Sequence, residues 1–487
     1  MMPGAMTPPV RTLADLAPLA PEFVVVIGAF ALLMLDLFMG ERRRVVTHGL
    51  AVVVLLGAAA MIVMGVGGHG MVLADMFVRD TVADVLKVCI LLLTAMALGY
   101  AWPFMRERGL YKGELPVLML FATLGMMLLV SAPNLTTIYV GLELLALCQY
   151  TLVAFDRDNA TGSEAAMKYF VLGSLASGLL LFGMSLVYGA TGSLDLATIS
   201  NAAAIVDGGT RTLLLTGTVF LVVGVCFKFG AAPFHMWLPD AYHGAPTPMT
   251  LFIGSAPKLA VFGMAYRLLE SGLGPLQDQW QVMVALLAAL SLVVGNVFAI
   301  AQTNLKRMLA YSTVSHVGFL LLGLAGGDAE GYAAAMFYAI SYAIMATAGF
   351  GAIVMLSRRG FEADRISDFK GLNARSPWMA AMVLVIMASL AGVPPFLGFW
   401  AKLVVLRAAI GGEMLWLAIV GIVFAVVGAF YYLRVIKVMY FDEPEGVAIE
   451  VRDNGPLKLL FGANALALLV LGIAWNPVMA WCQAAFA

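Results

Sequence analysis

The sequence predicts an all-α polytopic membrane protein of fourteen transmembrane helices, with two inverted five-helix repeats that each contain a broken helix. Three observations carry this. Of the 487 residues, 62% are hydrophobic and 12% charged, against about 25% charged in a soluble globular domain. The apolar runs are long, as at 50–64, 212–227 and 457–475, where a membrane barrel would alternate every second residue. Two of the longest runs are interrupted at mid-length by Gly and Pro. This composition excludes a soluble enzyme and a disordered chain. With 28 Lys and Arg against 29 Asp and Glu, no cationic surplus exists to neutralise phosphates, which excludes a nucleic-acid binder.

A span needs about 20 residues to cross roughly 30 Å of hydrocarbon. That window places spans near 22–39, 45–67, 82–104, 115–132, 134–155, 163–190, 212–243, 248–269, 280–302, 306–325, 331–356, 377–410, 414–440 and 457–480. The longest connections, 191–211 and 357–376, are too short for a folded domain. The chain therefore reads as one membrane domain: three N-terminal helices (1–114), a first five-helix repeat (115–270), a second, inverted one (280–440) and a C-terminal helix (457–487). The first span is a retained helix rather than a signal peptide, because Arg42, Arg43 and Arg44 follow its apolar run instead of preceding it.

Loops after odd-numbered spans hold eighteen of the 28 Lys and Arg, including Arg44, Arg106, Arg108, Lys306, Arg307, Arg434 and Arg452. The opposite side holds Arg11, Arg79, Arg211, Arg267 and Arg407. The bias places both termini outside the cytoplasm. Cys89, Cys148, Cys226 and Cys482 each sit alone in apolar runs. They read as small buried hydrophobes, with no iron–sulfur, haem or zinc spacing.

Five lysines remain, Lys87, Lys168, Lys228, Lys258 and Lys402, all inside apolar spans. A charge at the bilayer centre costs roughly 2.5–3.5 kcal/mol on insertion scales, and such residues mark ion pathways. Lys258 and Glu143 lie near mid-depth. Lys228 sits just before a helix break and Lys402 just after another. Lys168 follows the capping-box pattern Thr161-Gly-Ser-Glu164 and lies about 9 Å deep; snorkelling and function are equally open for it. Lys87, nearest a span end, reads as snorkelling to water and pairing with Asp84 at helical spacing. Asp36 reads as structural. Burial disfavours the charged ammonium and a nearby carboxylate restores it, so a buried lysine with a movable carboxylate has two protonation states of similar energy. That is what a proton relay requires. Glu143 is the candidate partner; a static buried ion pair is the alternative.

The two breaks are KFGAAPFHMWLPDAYHGAPTP from Lys228 and SLAGVPPFLGFWAKL from Ser389. Gly230 and Pro233 interrupt one, Gly392, Pro394 and Pro395 the other. Non-helical backbone at this depth is tolerated only where it is buried in protein or lines a wet cavity. Both breaks read Pro-Phe, 162 residues apart, and Asn-Leu recurs at 134–135 and 304–305. Five spans per block is odd, so the second copy enters the membrane inverted, and paired broken helices in inverted repeats point to a transport site. His316, ten residues into the tenth span, reads either as a proton carrier between half-channels or as a hydrogen-bonded structural histidine. His235, Asp240 and His243 read as loop lining rather than a metal site. Tyr311, Ser312, Ser315 and Tyr342 could hold water or bond neighbouring helices. The Gly173/Ser177 and Ser174/Gly178 pairs indicate close helix packing.

The segments KFGAAPFHMWLPDAYHGAPTPMTLFIGSAPKLAVFG, YVGLELLAL, LKRMLAYSTVSHVGFLLLG and PPFLGFWAKL closely resemble the antiporter-like subunits of respiratory complex I, the proton-pumping NADH–quinone oxidoreductase, over nearly the whole chain. APTPMT after HMWLPDAYHG, APKLAVFG in the eighth span, and the end of the chain after fourteen spans with no lateral helix favour the N type (the mitochondrial subunit 2 type) over the M and L types. The resemblance implies that Glu143, Lys228, Lys258 and Lys402 are the essential proton-transfer residues and that Lys168 matches the sixth-span lysine. It implies no cofactor in this chain, with NADH, FMN, iron–sulfur clusters and quinone in partner subunits. It further implies a bacterial inner-membrane location. The implied partners are an M-type antiporter-like subunit, small subunits near the quinone site, the peripheral arm and lipids. An Mrp-type cation/proton antiporter subunit and a non-pumping structural subunit are the rival readings.

Overall fold

The computed structural model describes residues 12–40, 43–443 and 454–487; Arg11, Arg42 and Arg452 of the orientation argument lie outside the described residues. A 3-10 turn at Leu13–Leu19 leads into α1 (Ala20–Phe38), followed by α2 (Arg44–Val63), a hairpin of β1 (Gly70–Val72) and β2 (Phe77–Arg79), and α3 (Thr81–Glu107). The next block holds α4 (Glu114–Val130), α5 (Leu135–Val153), α6 (Ala160–Thr191), short α7 (Leu196–Ala203), α8 (Gly208–Phe229), α9 (Trp237–Gly244), α10 (Thr247–Gly254) and α11 (Ala256–Tyr266). Then come α12 (Gln277–Ala301), α13 (Leu305–Ala325), α14 (Ala329–Leu356), α15 (Leu372–Arg375), α16 (Pro377–Ala391), α17 (Leu397–Gly411) and α18 (Leu415–Phe441). The C-terminal part is α19 (Gly455–Ile473) and α20 (Trp475–Ala485). Among the described residues, twelve helices are long and apolar enough to cross a membrane, and Glu114–Val130 and Pro377–Ala391 are shorter apolar helices.

Both expected breaks are present: α8 stops at Gly230 and α16 at Gly392, each in the left-handed region at φ +78° and +88°. Only glycine adopts that conformation without steric cost, and the prolines that follow prevent the helix from resuming at once. A third interruption, at Ser255 between α10 and α11, divides the expected eighth span. Pro257 explains it, because proline fits only the first turn of a new helix. A fourth, at Ala474, separates α19 from α20.

Helix α14 is buried nearly all round. It is apolar on every face, as a central helix must be. Around it two arrangements recur. Asn134 caps α5 and bridges to Asp195; Asn304 caps α13 and bridges to Arg365, 170 positions later at both residues. A Cβ at Gly125 would lie 2.8 Å from Leu145 N, and one at Gly295 would lie 2.4 Å from Ser315 N, the same offset again. The α4/α5 and α12/α13 pairs therefore cross at a glycine in matched positions. Gly295→Val forces α12 off α13 against backbone atoms, and is expected to cost about 1–3 kcal/mol or more, read as a lower melting temperature of the detergent-solubilised protein.

Several expectations are corrected here. The all-α expectation misses the β1–β2 hairpin, the one sheet among the described residues, whose Val78 N donates to Ser131 O at 2.9 Å. Asp84 does not pair with Lys87. The Arg79 guanidinium takes its carboxylate with bonds of 2.9 and 3.3 Å, and His69 reaches it at 3.1 Å. Lys87 does not snorkel: it is fully buried, 2.7 Å from Glu22 Oε1 and 4.7 Å from the centre of the Phe77 ring. The N-cap of α6 is Asn159, not Thr161. Gly173 packs on the Tyr150 hydroxyl, while Gly178 faces open space. The close α6–α8 crossing is made by Gly183 and Gly217 instead.

Candidate proton-transfer site

The last carbonyls of a helix have no intrahelical donors and carry the negative end of its dipole. At a break inside a bundle, water is not there in bulk to satisfy them, so a cation is favoured. Lys258, on α11, donates to Phe229 O at 2.7 Å, the final carbonyl of α8. Lys402, on α17, donates to Leu390 O at 3.0 Å and Ala391 O at 2.9 Å, the final carbonyls of α16. Both lysines are buried. The two sites are thus built alike, with an ammonium seated on the end of a glycine-terminated half-helix. Lys306 repeats the pattern at a third helix end: it is buried and donates to Ala245 O, just past α9, at 2.8 Å.

Lys228 lies in the last turn of α8, and its Nζ is 3.3 Å from Ser177 Oγ on α6. It forms no ion pair with Glu143. The Glu143 carboxylate projects from α5 with a buried Oε1 that has no hydrogen-bond partner. Between Lys228 and Lys258 lies a cavity of about 20 Å³, lined also by Gln149, Tyr169 and Trp237. A water needs about 10–15 Å³ by that measure, so roughly one fits there. The Tyr169 hydroxyl donates to Gln149 Oε1 at 2.7 Å, and the Tyr169 ring stacks on Trp237 at 4.4 Å. Lys258 Nζ lies 5.5 Å from the Trp237 ring.

Beyond Lys258 the polar groups run toward the second break. Trp237 and Tyr242 rings are 6.4 Å apart, and the Tyr342 hydroxyl donates to Thr313 Oγ1 at 2.7 Å. The His316 ring lies 4.8 Å from that of Tyr342. His316 is buried, with Nδ1 2.7 Å from the Tyr338 hydroxyl and Nε2 3.0 Å from that of Tyr432, which also bonds Ser312. Both ring nitrogens are engaged, so one tautomer donates to one tyrosine while accepting from the other. Lys402 Nζ does not bond His316; it lies over the Phe319 ring, 5.3 Å from its centre.

Lys168 is placed apart from this line. Its ammonium is half-exposed, 2.8 Å from Glu164 and 3.1 Å from Asp240, and Asp240 also binds Arg307 at 2.8 Å. Asp240 is therefore an ion-pair anchor rather than part of a metal cluster with His235 and His243. Asp240→Asn is expected to cost no more than about 1 kcal/mol, because the pairs are partly exposed, and to leave electron transfer unaffected in membrane assays. Near it, at the arginine-rich end of the bundle, a polar cavity of about 240 Å³ is lined by Arg108, Asp156, His243, Glu362 and Asp364. Glu362 of that lining lies 3.3 Å from Lys306 and accepts a bond from Thr247. Burial pushes the Asp364 carboxyl up, but hydrogen bonds from His243 and Asn304 and the charge of Lys306 outweigh it and hold it below its ordinary value.

Sequence reasoning counts Lys306 as a loop cation, reads Ser177 only as a packing residue, and misses Glu362, Tyr338 and Tyr432. Only Tyr338 and Tyr342 carried a signal, four residues apart and so on one helix face. The other partners come from helices remote in the chain.

A family model described as "NADH:quinone oxidoreductase/Mrp antiporter, TM" matches residues 132–428. The NADH-quinone oxidoreductase subunit N of Xanthomonas euvesicatoria pv. vesicatoria (strain 85-10) is 66% identical over 98% of this chain and 97% of its own length. A chain of respiratory complex I from Thermus thermophilus, solved with bound aureothin, is 31% identical at a TM-score of 0.80, covering 94% of this chain and 98% of that one. A chain of the Mrp complex from Dietzia sp. DQ12-45-1b shares the fold at a TM-score of 0.85 and 22% identity, over 98% of this chain and 97% of that one. With two glycine-ended half-helices that each receive a lysine ammonium on their last carbonyls, and with this extent of identity, the chain belongs to the NADH-quinone oxidoreductase subunit N family of antiporter-like membrane subunits.

Proposed function

We propose that this chain moves protons across the bacterial inner membrane as a membrane-arm subunit of NADH:quinone oxidoreductase. Electron transfer from NADH through FMN and iron–sulfur clusters to quinone belongs to partner subunits. Its neighbours are an M-type antiporter-like subunit and the small subunits near the quinone site, with the peripheral arm beyond and lipid around. Both termini face the periplasm, the arginine-rich end being cytoplasmic.

The observation that carries this is the paired placement of Lys258 and Lys402 on the carbonyl ends of interrupted helices, deep in apolar surroundings. A static structural cation is more cheaply replaced by an apolar side chain; an ammonium held by neutral carbonyls, with no carboxylate locked to it, can release its proton and take it back. The matched glycine crossings and Asn caps support two repeats of opposite sense, so that one break serves each side.

Protons enter at the polar cavity of Asp156, His243, Glu362 and Asp364. The Glu143–Lys228 pair is open, its carboxylate unbonded, so that its closing and opening can drive the Lys228 proton through the water-sized cavity to Lys258. Tyr342 and the Tyr338–His316–Tyr432 chain then carry it to Lys402, and Lys402 releases it outward. Lys168, held by two carboxylates at the edge of this route, sets the local field rather than relaying protons. In reconstituted complex, Lys228→Ala is expected to lower the proton-to-electron ratio by the share this chain supplies. A normal ratio in fully assembled Lys228→Ala complex would refute the assignment.

A further inference from the structure

The break beside Lys402 is enclosed from outside its own repeat. A Cβ at Gly472, at the end of α19, would lie 2.3 Å from Pro395 O, 2.6 Å from Leu397 N and 2.7 Å from Phe396 C. All three are backbone atoms of the break, so they cannot swing aside as a side-chain end would. Three residues on, Trp475 opens α20 and stacks on Trp400 with ring centres 4.7 Å apart and planes 12° from parallel. Trp400 is two residues before Lys402. At the far end of α20, the Phe486 ring meets Tyr266 edge-on at 5.0 Å. Tyr266 ends α11, the helix that carries Lys258. Tyr332, whose hydroxyl donates to Glu270 at 2.6 Å, closes the same corner 6.1 Å from Phe486.

On the other side the break is fixed within its own repeat, where Gly398 N donates to Ser389 Oγ at 3.2 Å. The first break is held differently: Ala232 N donates to Ser291 Oγ on α12 at 2.9 Å. The C-terminal helices thus do for the second break what α12 does for the first.

We propose that α19 and α20 form a positioning strut for Lys402: Gly472 and Trp475 hold the loop so that Leu390 O and Ala391 O stay under the ammonium, and Phe486 ties that loop to the helix of Lys258. The residues of the strut touch no proton directly. They set the distance between Lys402 and its carbonyls, and they give a rigid path by which a shift at one lysine's helix reaches the other's break. This rests on the role given to Lys402 above.

The test uses the whole assembled complex in proteoliposomes, reading the proton-to-electron ratio beside NADH oxidation by a soluble acceptor, which reports intact peripheral subunits. Lys402→Ala gives the full drop. Trp475→Leu and Gly472→Ala are expected to give at least half of that drop, Phe486→Ala a smaller one, and Trp475→Phe, which keeps an aromatic face, a normal ratio. A merely structural tryptophan would lower assembly and both activities together and leave the ratio of surviving complex intact. If Gly472→Ala does not assemble, the Trp475→Leu and Trp475→Phe pair decides. A normal ratio in Trp475→Leu with a lowered one in Lys402→Ala overturns the strut and spares the proton path; a normal ratio in Lys402→Ala removes both.

Discussion

Lys258→Met is expected to cut proton transfer through this chain by about 100-fold or more, the usual scale for removing a positioned proton-transfer group, while the protein still folds and assembles. Methionine matches the length and apolar stem of lysine but offers no proton. The change leaves Phe229 O, the last carbonyl of α8, without its 2.7 Å donor. An unsatisfied buried acceptor costs about 1–3 kcal/mol, which a bundle with this much buried surface can bear. Lys258→Arg should do little better. The guanidinium is larger and effectively never deprotonates, and the neighbouring cavity of about 20 Å³ has space for one water only. A single-turnover proton-release assay on assembled complex separates the outcomes: loss in both variants identifies a lysine that must give up its proton, whereas full release in Lys258→Arg would mean that a fixed positive charge suffices.

The second large effect concerns stability. Glu22→Ala should destabilise the N-terminal helices by about 3–5 kcal/mol, because it strands Lys87 as an uncompensated buried charge. The pair is fully buried, with Nζ 2.7 Å from Oε1, and the other carboxylate oxygen has no hydrogen-bond partner. Two charges satisfied this incompletely do not repay their desolvation. Glu22→Leu combined with Lys87→Met should therefore return close to the original melting temperature, and pumping should be retained, since the pair lies outside the line from Lys228 to Lys402. Thermal unfolding of purified protein in detergent, single against double variant, checks this; a double variant as unstable as Glu22→Ala would show that the pair contributes more than mutual neutralisation.

The contrast between Lys87 and Lys258 shows what the sequence carries. An apolar run of membrane length, a Gly-Pro interruption and a lysine inside the run are local facts, and each has one physical consequence: a span, a break, a cation that must be housed. The breaks at Gly230 and Gly392, and the burial of Lys258 and Lys402 near them, were legible for that reason. The partner that houses each cation is not local. Lys87 was assigned to Asp84 by helical spacing, but Arg79 from the unforeseen hairpin occupies that carboxylate, and Glu22 from α1 receives the lysine. Counting from Thr161 puts Lys168 at depth, and the true cap at Asn159 only lengthens that count; what the count cannot show is that the side chain reaches out to Glu164 and Asp240. The break at Ser255 carries a weaker signal than Gly-Pro: a single proline two residues later, which also fits the first turn of an uninterrupted span's next segment. Lys306 counts among the loop cations because it lies where the loop after the ninth span meets the tenth; only the tertiary fold brings Ala245 and Glu362 over it.

The most direct measurement is the proton-to-electron ratio of intact complex in which Glu143→Gln, Lys228→Met, Lys258→Met and Lys402→Met are combined, with assembly verified by co-purification of the peripheral subunits. Protons passing along these groups predict a ratio reduced by this chain's whole contribution, with no further loss when His316→Phe is added. An unchanged ratio in the assembled four-fold variant would mean that the buried lysines serve only to seal helix ends, and that protons cross elsewhere.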